Sequence, residues 1–105
     1  MVRFETVQQL ALSFFATDMH PHFERQAFRV KKKIFATFSE KDRTVTLKLT
    51  LVDQSVFCAF DNKVFYPVPG GWGKKGFTLV NLNKVKKAMF KDALTTAYCT
   101  VDPPK

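Results

Sequence analysis

Cationic side chains recur between residues 25 and 48, a stretch whose alternating pattern predicts three antiparallel strands. Alternation places one set of side chains on the face of this sheet that points away from the helices. The residues predicted on this outward face are Arg25, Arg29, Lys33, Phe35, Thr46 and Lys48. Cations and hydroxyls can contact phosphates, and an exposed aromatic ring can stack on a base. An ordinary solvated face stays open as the alternative, because antiparallel sheets commonly leave one face in water.

Further lysines cluster at a predicted hairpin turn and in the last predicted helix. Lys31, Lys32 and Lys33 would place three charges at one tip, within reach of a nucleic-acid backbone. The helix lysines are Lys84, Lys86, Lys87 and Lys91, with three of them spaced i, i+3, i+7 on one face. Like charges at this spacing repel, and lysines in a first turn oppose the helix dipole. The helix lysines therefore indicate either a use in binding or a solvated face.

The four glycines of the chain surround Trp72 and include the spacing G-x-G-x-x-G. A dinucleotide-binding fingerprint follows a strand and opens a helix, whereas prolines precede this segment and a strand is predicted after it. This context excludes nucleotide binding through the motif. A flexible basic loop with an aromatic ring can still contact an anion, so Trp72, Lys74 and Lys75 form a second candidate site. For Trp72 itself, packing on the core is the favoured interpretation.

The residue types of catalytic and metal sites are present without a convincing pattern. His20 and His22 flank Pro21, but a metal site needs three or four ligands, so a turn between a helix and a strand is the better interpretation. Neither the serines nor the cysteines lie in a nucleophile-elbow motif, and no carboxylate pair has an obvious acid–base spacing. We therefore expect no enzyme activity, no catalytic residue, no metal and no cofactor.

Overall composition favours a polyanionic partner. Seventeen Lys and Arg against nine Asp and Glu give a formal net charge of +8, which suits DNA, RNA or an anionic surface. No apolar run approaches the length of a membrane span and no signal peptide is recognisable, so a cytoplasmic location is expected. Cys58 and Cys99 are expected to be reduced and buried.

Periodicity and turn residues predict one α+β domain over residues 1–105, an antiparallel sheet with the N- and C-terminal helices packed on one face. The predicted segments are a helix at Phe4–Phe15, strands at Arg25–Val30, Lys33–Phe38 and Arg43–Leu51, a short helix at Leu51–Phe60 capped by Asp53, an irregular stretch at Phe65–Gly76, a strand at Phe77–Leu82 and a helix from the cap Asn83 to Tyr98. Pro103 and Pro104 are predicted to end the structure.

Several short segments, in order and spacing, resemble the MmcQ/YjbR-like family. They are His22–Val30, Lys33–Thr37, Val45–Leu49, Pro67–Gly73, Gly76–Thr78 with Leu82, and Ala97–Tyr98. The resemblance implies a two-layer, CyaY-like (frataxin-like) sandwich and a bacterial cytoplasmic protein, and members are often named as DNA-binding. Lys48 and Trp72 match the most recognisable polar and aromatic positions of the family. This chain departs from the family at Lys32, where glycine is usual, and in the basic start of its last helix.

Two functional hypotheses follow. The first is a non-enzymatic, monomeric nucleic-acid-binding domain of low sequence specificity, for DNA rather than RNA, with no membrane partner. Its predicted contacts are Arg25, Arg29, Lys31, Lys32, Lys33, Phe35, Lys48, Trp72, Lys74 and Lys75. The second is a protein-interaction or regulatory module whose basic surface meets an acidic protein.

Overall fold

The computed structural model describes residues 1–22 and 24–103; Phe23 of the family motif and Pro104 lie outside the described residues. The elements, in chain order, are α1 (Phe4–Leu12), β1 (Thr17–His22), β2 (Arg25–Val30), β3 (Lys33–Ser39), β4 (Thr44–Lys48), α2 (Leu51–Phe60), β5 (Phe65–Pro67), α3 (Gly71–Lys74), β6 (Phe77–Asn81) and α4 (Lys87–Val101).

The strands form one antiparallel sheet in the order β1-β2-β3-β4-β6-β5. Helix α4 packs across the central strands β3 and β4, and α1 packs near β1. The core lies between this helical layer and the sheet, and its fully buried members include Phe28, Leu47, Val80, Phe90 and Leu94. The predicted α+β sandwich with terminal helices on one face is confirmed, and the other face of the sheet is left open.

The region around the two histidines is a strand and not the predicted turn. His20, Pro21 and His22 belong to β1, which pairs antiparallel with β2 so that His20 lies opposite Ala27 and His22 opposite Arg25. Proline lacks the N–H that a central strand would need, but an edge strand tolerates it. The sequence pattern missed β1 because its burial shows no alternation, with five of its six residues exposed.

Helix α1 ends at Leu12, three residues before the predicted end. The hydroxyl and the backbone N–H of Ser13 both donate to the Leu10 carbonyl, which closes the last turn. Ala16 then adopts a left-handed backbone with φ of 63° and directs the chain into β1. The two phenylalanines at the end of the predicted helix have different environments. Phe14 is half-buried against the core, whereas Phe15 is exposed.

The caps of α2 and α4 also differ from prediction. Thr50, and not Asp53, is the N-cap of α2: its hydroxyl oxygen accepts the Asp53 N–H at 3.1 Å. Helix α4 starts at Lys87, whereas Asn83 lies in the preceding turn, where its N–H donates to the Asn81 side chain. Lys84 and Lys86 therefore precede the helix and do not share a helical face with Lys87 and Lys91.

The two cysteines are free, as expected, but only one is partly shielded. Cys58 on α2 is half-buried, and this burial raises the pKa of its thiol. Cys99 on α4 is exposed, so the prediction that it is buried is wrong. Within residues 1–22 and 24–103, no helix is long and apolar enough to cross a membrane.

Candidate nucleic-acid interface

The open face of the sheet forms the floor of a groove of about 530 Å³. Residues directly opposite each other in an antiparallel sheet point to the same side. The register therefore aligns Thr37, Thr46, Leu79 and Tyr66 in one row across β3, β4, β6 and β5. Three hydroxyl-bearing side chains and one leucine thus make a row that is neither acidic nor strongly apolar.

Trp72 stands in the wall of this groove and is 61% exposed. The expectation that it packs on the core is wrong. Its ring meets Phe77 edge to face, with centroids 5.3 Å apart and an interplanar angle of 85°. The Lys75 ammonium lies 5.3 Å from the centroid of the Trp72 ring. The wall therefore presents a large aromatic surface next to a cation, which is the arrangement that stacks an unpaired base.

Helix α3, which carries Trp72, is fixed to the rest of the fold by Gln54. This buried side chain on α2 donates to the Gly73 carbonyl at 2.9 Å and to the Phe77 carbonyl at 3.1 Å. A β-carbon on Gly73 would collide with the Val68 carbonyl oxygen, so only glycine allows this close approach. Trp72 is thus held on a rigid support, although the sequence predicted a flexible loop.

Gly76, with φ of +101°, turns the chain from α3 into β6. A β-carbon at this position would collide with the Leu49 carbonyl oxygen, and the Leu49 N–H donates to the Gly76 carbonyl at 3.2 Å. Gly73 and Gly76 therefore serve backbone packing and turning.

Three predicted cations at or near this groove have no carboxylate partner among the described residues: Arg25 lines it, and Lys74 and Lys75 follow Trp72 in the chain. Among the described residues the ion pairs are Arg29 with Asp18 and Lys31 with Asp102, so Arg25, Lys74 and Lys75 are unpaired. Arg25 lines the groove on the side away from Trp72. The groove therefore has an aromatic wall on one side and an unpaired guanidinium on the other.

The Lys48 ammonium makes internal contacts that help to hold the groove wall in place, so less of its charge is available to a ligand. Its ammonium donates to the Lys75 carbonyl at 3.0 Å and lies 4.5 Å from the centroid of the Phe77 ring. Lys48 thus contacts Phe77, whose ring contacts Trp72, at one end of the open face. Because one donor of Lys48 is used internally, two remain for an external anion.

Arg29 lies on the open face as predicted, but it is paired. Its Nε donates to one Asp18 carboxylate oxygen at 2.8 Å and its Nη2 to the other at 3.2 Å. The hydrogen bond from Arg29 holds the pKa of Asp18 below its usual range. An anion that approaches this end of the face meets a neutralised guanidinium.

The lysines of the β2–β3 turn lie at the end of the hairpin, away from the groove floor. Lys31 and Lys32 have left-handed φ values of 52° and 71°, and the Lys31 ammonium bonds Asp102 at 3.2 Å. Lys33 pairs with the buried Val30, so it lies on the helical side of the sheet and not on the predicted open face. Lys32 and Lys33 are exposed and have no ion pair among the described residues.

Phe35 is fully buried, so the prediction that it faces solvent is wrong. The register steps from Phe28 opposite Ala36 to Arg29 opposite Ile34, which leaves Phe35 unpaired in a β-bulge. The bulge reverses the alternation and directs Phe35 to the helices, where its ring meets Phe14 and Tyr98 edge to face. Ile34 takes the outward position and is 37% exposed.

A second depression of about 600 Å³ adjoins the groove and shares Arg25 and Thr46 with it. His22, Glu24 and Thr37 complete its lining. No group of three or more potential metal ligands converges among residues 1–22 and 24–103. Two carboxylates therefore lie along the open face: Glu24 in this depression and Asp42 in the main groove.

Sequence reasoning missed Gln54 and Tyr66, which help to build the site. The sequence predicts a short helix around Gln54 and indicates no role for this residue, although a glutamine on the inner side of an amphipathic pattern needs buried partners. The sequence predicts an irregular stretch around Tyr66, whereas the pairing of β5 with β6 brings this residue to the groove.

Comparisons with known proteins agree with this architecture. No curated protein matches the chain. The crystal structure of Deinococcus radiodurans protein DR2400, which has a DUF419 domain, superposes with a TM-score of 0.80 over 92% of this chain and 76% of that chain. At 16% sequence identity this likeness shows the fold alone. The model of the YjbR family matches residues 12–100, from the end of α1 almost to the end of α4. The chain therefore belongs to the YjbR family.

Proposed function

We propose that this chain is a non-enzymatic, monomeric cytoplasmic domain that binds nucleic acid with little sequence preference, DNA rather than RNA, across the open face of its sheet. The observation that carries the proposal is the exposed ring of Trp72, held in the groove wall next to Lys75 and opposite the unpaired Arg25. Burying an aromatic ring is favourable, so a tryptophan fixed in an exposed position is available for a ligand.

Stacking on Trp72 explains how binding would tolerate different sequences. Every base has a π-face, so a base that stacks on the ring needs no hydrogen-bond pattern. The flanking phosphates would lie toward Arg25, Lys74 and Lys75, which carry charge without internal partners. A duplex hides its base faces, and the proposal therefore favours single-stranded over double-stranded DNA.

The test is a fluorescence-anisotropy titration of labelled single- and double-stranded oligonucleotides at about 50 and about 200 mM salt. We expect dissociation constants in the micromolar range at the lower salt, with at least a tenfold weakening at the higher salt. Trp72→Ala should weaken single-strand binding by about 5- to 150-fold, the loss expected for one stacked base, without changing the salt slope. The matched control is Phe15→Ala, which removes an aromatic ring that is 82% exposed on another surface.

Absence of binding at the lower salt would overturn the proposal. So would a Trp72→Ala variant that binds as tightly as the unchanged protein, because the affinity would then come from net charge alone.

A further inference from the structure

Helix α2 presents apolar side chains to solvent and a polar one to the interior. Val52, Val56 and Phe60 recur every four residues and are 71%, 59% and 68% exposed. The inward side holds Gln54 and Phe57. A surface helix normally has the opposite arrangement, so the outward stripe of α2 is not explained by the packing of this fold.

The end of this stripe opens into a groove that the proposed nucleic-acid interface does not use. The groove has a volume of about 420 Å³ and lies between the C-terminal end of α2 and the start of α4. Phe60, Val64, Val85 and Met89 give it an apolar lining. It is thus a concave continuation of the exposed stripe, suited to a partner's apolar side chain.

The rim of this groove is basic. Lys84 and Lys86 line it, are exposed, and have no ion pair among the described residues. Asp61, the carboxylate in the lining, accepts the Lys63 N–H at 3.0 Å and is thereby engaged in the local turn. No side chain caps the N-terminus of α4, whose first-turn residues Ala88 and Met89 also line the groove. The local potential is therefore positive.

We propose that the α2 stripe and the α2–α4 groove bind an acidic amphipathic helical segment of another protein. Phe60 and the apolar lining contact its apolar side chains, and Lys84 and Lys86 contact carboxylates beside them. A second copy of this chain fits poorly, because a two-fold interface would bring the same lysines of both copies together. The surface is separate from the open sheet face and does not depend on the proposed nucleic-acid binding.

The test is a selection of random peptides of about 16 residues, displayed on phage, against the intact protein. We expect enriched peptides with a net negative charge and with apolar residues three or four positions apart. Phe60→Ser should weaken their binding at least tenfold, whereas Phe15→Ser, the same change at another exposed phenylalanine, should leave it within about twofold. The double variant Lys84→Glu, Lys86→Glu should weaken binding at least tenfold, and Lys32→Glu, Lys33→Glu, with the same change in net charge, should not.

Three results would overturn the proposal: no enriched sequence, enriched sequences without acidic residues, or peptides that bind Phe60→Ser as well as the unchanged protein. A dimer in sedimentation equilibrium at about 100 µM that Phe60→Ser abolishes would overturn it in favour of a second copy. Phe60→Ser should leave oligonucleotide binding unchanged, and Trp72→Ala should leave peptide binding unchanged, so the two proposals fail separately.

Discussion

Gln54 is the single side chain on which the position of Trp72 depends most directly. Its amide bridges the Gly73 and Phe77 carbonyls, which belong to α3 and to the first residue of β6. No other described hydrogen bond from a buried side chain joins three elements in this way. The residue is therefore a positioning residue for the proposed interface and a stabilising one for the fold.

Replacing Gln54 by Leu should lower the free energy of unfolding by about 1–3 kcal/mol, because two buried carbonyls lose their donors. Urea denaturation followed by far-UV circular dichroism measures this change. Gln9→Leu is the matched control, since Gln9 on α1 is exposed and should give a change below about 0.5 kcal/mol. A Gln54→Leu protein as stable as the control would contradict the assigned role.

Asp18 limits the charge that the open face can present. Its carboxylate neutralises Arg29, and the hydrogen bond from Arg29 lowers the pKa of Asp18 below its usual range. A carboxyl whose folded pKa is lowered stabilises the fold above its usual pKa, and this contribution is lost as pH falls through the folded pKa. Because the Arg29–Asp18 pair is exposed, we expect it to affect the proposed anion binding more than the stability of the fold.

Asp18→Asn should strengthen oligonucleotide binding about three- to tenfold at about 50 mM salt, because Arg29 becomes available to a phosphate and one repulsive charge is removed. The slope of log K against log salt should become more negative by about 0.7–0.9. Anisotropy titration measures both quantities. Asp92→Asn removes the same charge from α4, on the helical side, and should change the slope much less.

At the scale of elements, the bulge in β3 decides which aromatic ring the open face displays. Regular alternation would place Phe35 outside and Ile34 inside, but the extra residue exchanges them. The exchange completes an aromatic cluster with Phe14 and Tyr98, whose rings stack at 4.6 Å. The gain in buried aromatic area outweighs the hydrogen bonds that the bulge interrupts.

Phe35→Ala should lower the free energy of unfolding by about 3–5 kcal/mol, as expected for truncation of a fully buried aromatic ring. Ile34→Ala should cost less than about 1 kcal/mol, because this side chain is partly in solvent. Chemical denaturation of both variants compares them directly. The reverse order would show that β3 lacks the bulge.

The β2–β3 turn has two consecutive left-handed residues that are not glycine. A two-residue hairpin turn of this kind requires positive φ at both central positions, which an L side chain adopts at a cost of about 1–2 kcal/mol. Lys32, with φ of 71°, stands where the family usually has glycine. The chain thus retains a charge at the hairpin tip at the expense of backbone strain.

Lys32→Gly should raise the free energy of unfolding by roughly 0.5–1 kcal/mol, after allowance for the extra freedom of glycine in the unfolded chain. The midpoint of thermal unfolding reports the change. Lys41→Gly, in the β3–β4 turn, removes the same charge at a position without positive φ, and it should destabilise the protein or leave it unchanged. Equal effects of the two substitutions would contradict relief of strain at Lys32.

On the scale of the whole molecule, the charge of +8 is spread over several surfaces. Unpaired cations lie beside the open face, at the β2–β3 turn and at the α2–α4 groove, while Arg29 and Lys31 are neutralised. The general field attracts any polyanion, and on the open face the residues around Trp72 combine that field with a stacking surface.

The double substitution Lys74→Ala, Lys75→Ala should therefore weaken single-strand binding and make the salt slope shallower by about 1.4, because both lysines are proposed to contact phosphates. Trp72→Ala should also lower the affinity, but it should leave the salt slope unchanged. Titrations at four salt concentrations separate the two effects. An unchanged slope in the lysine variant would contradict phosphate contacts beside Trp72.

The fold class, the order of β2, β3 and β4, the existence of α2 and the basic character of the surface can all be predicted from the amino-acid sequence. These features follow from local information: β4 alternates in polarity, turn residues separate the strands, and charge is a sum over residues. The ordered short motifs were also sufficient for the family, which the family match confirmed.

Other features become apparent only in the folded chain: the directions of Phe35 and Trp72, the strand at residues 17–22, and the exposed apolar stripe of α2. Each depends on partners distant in sequence. Gln54 reaches 19 and 23 residues ahead to fix α3, and the Tyr98 hydroxyl donates to the Phe15 carbonyl 83 residues away. Periodicity in the sequence indicates whether a segment forms a helix or a strand. The direction of each side chain depends also on the other elements that pack against that segment.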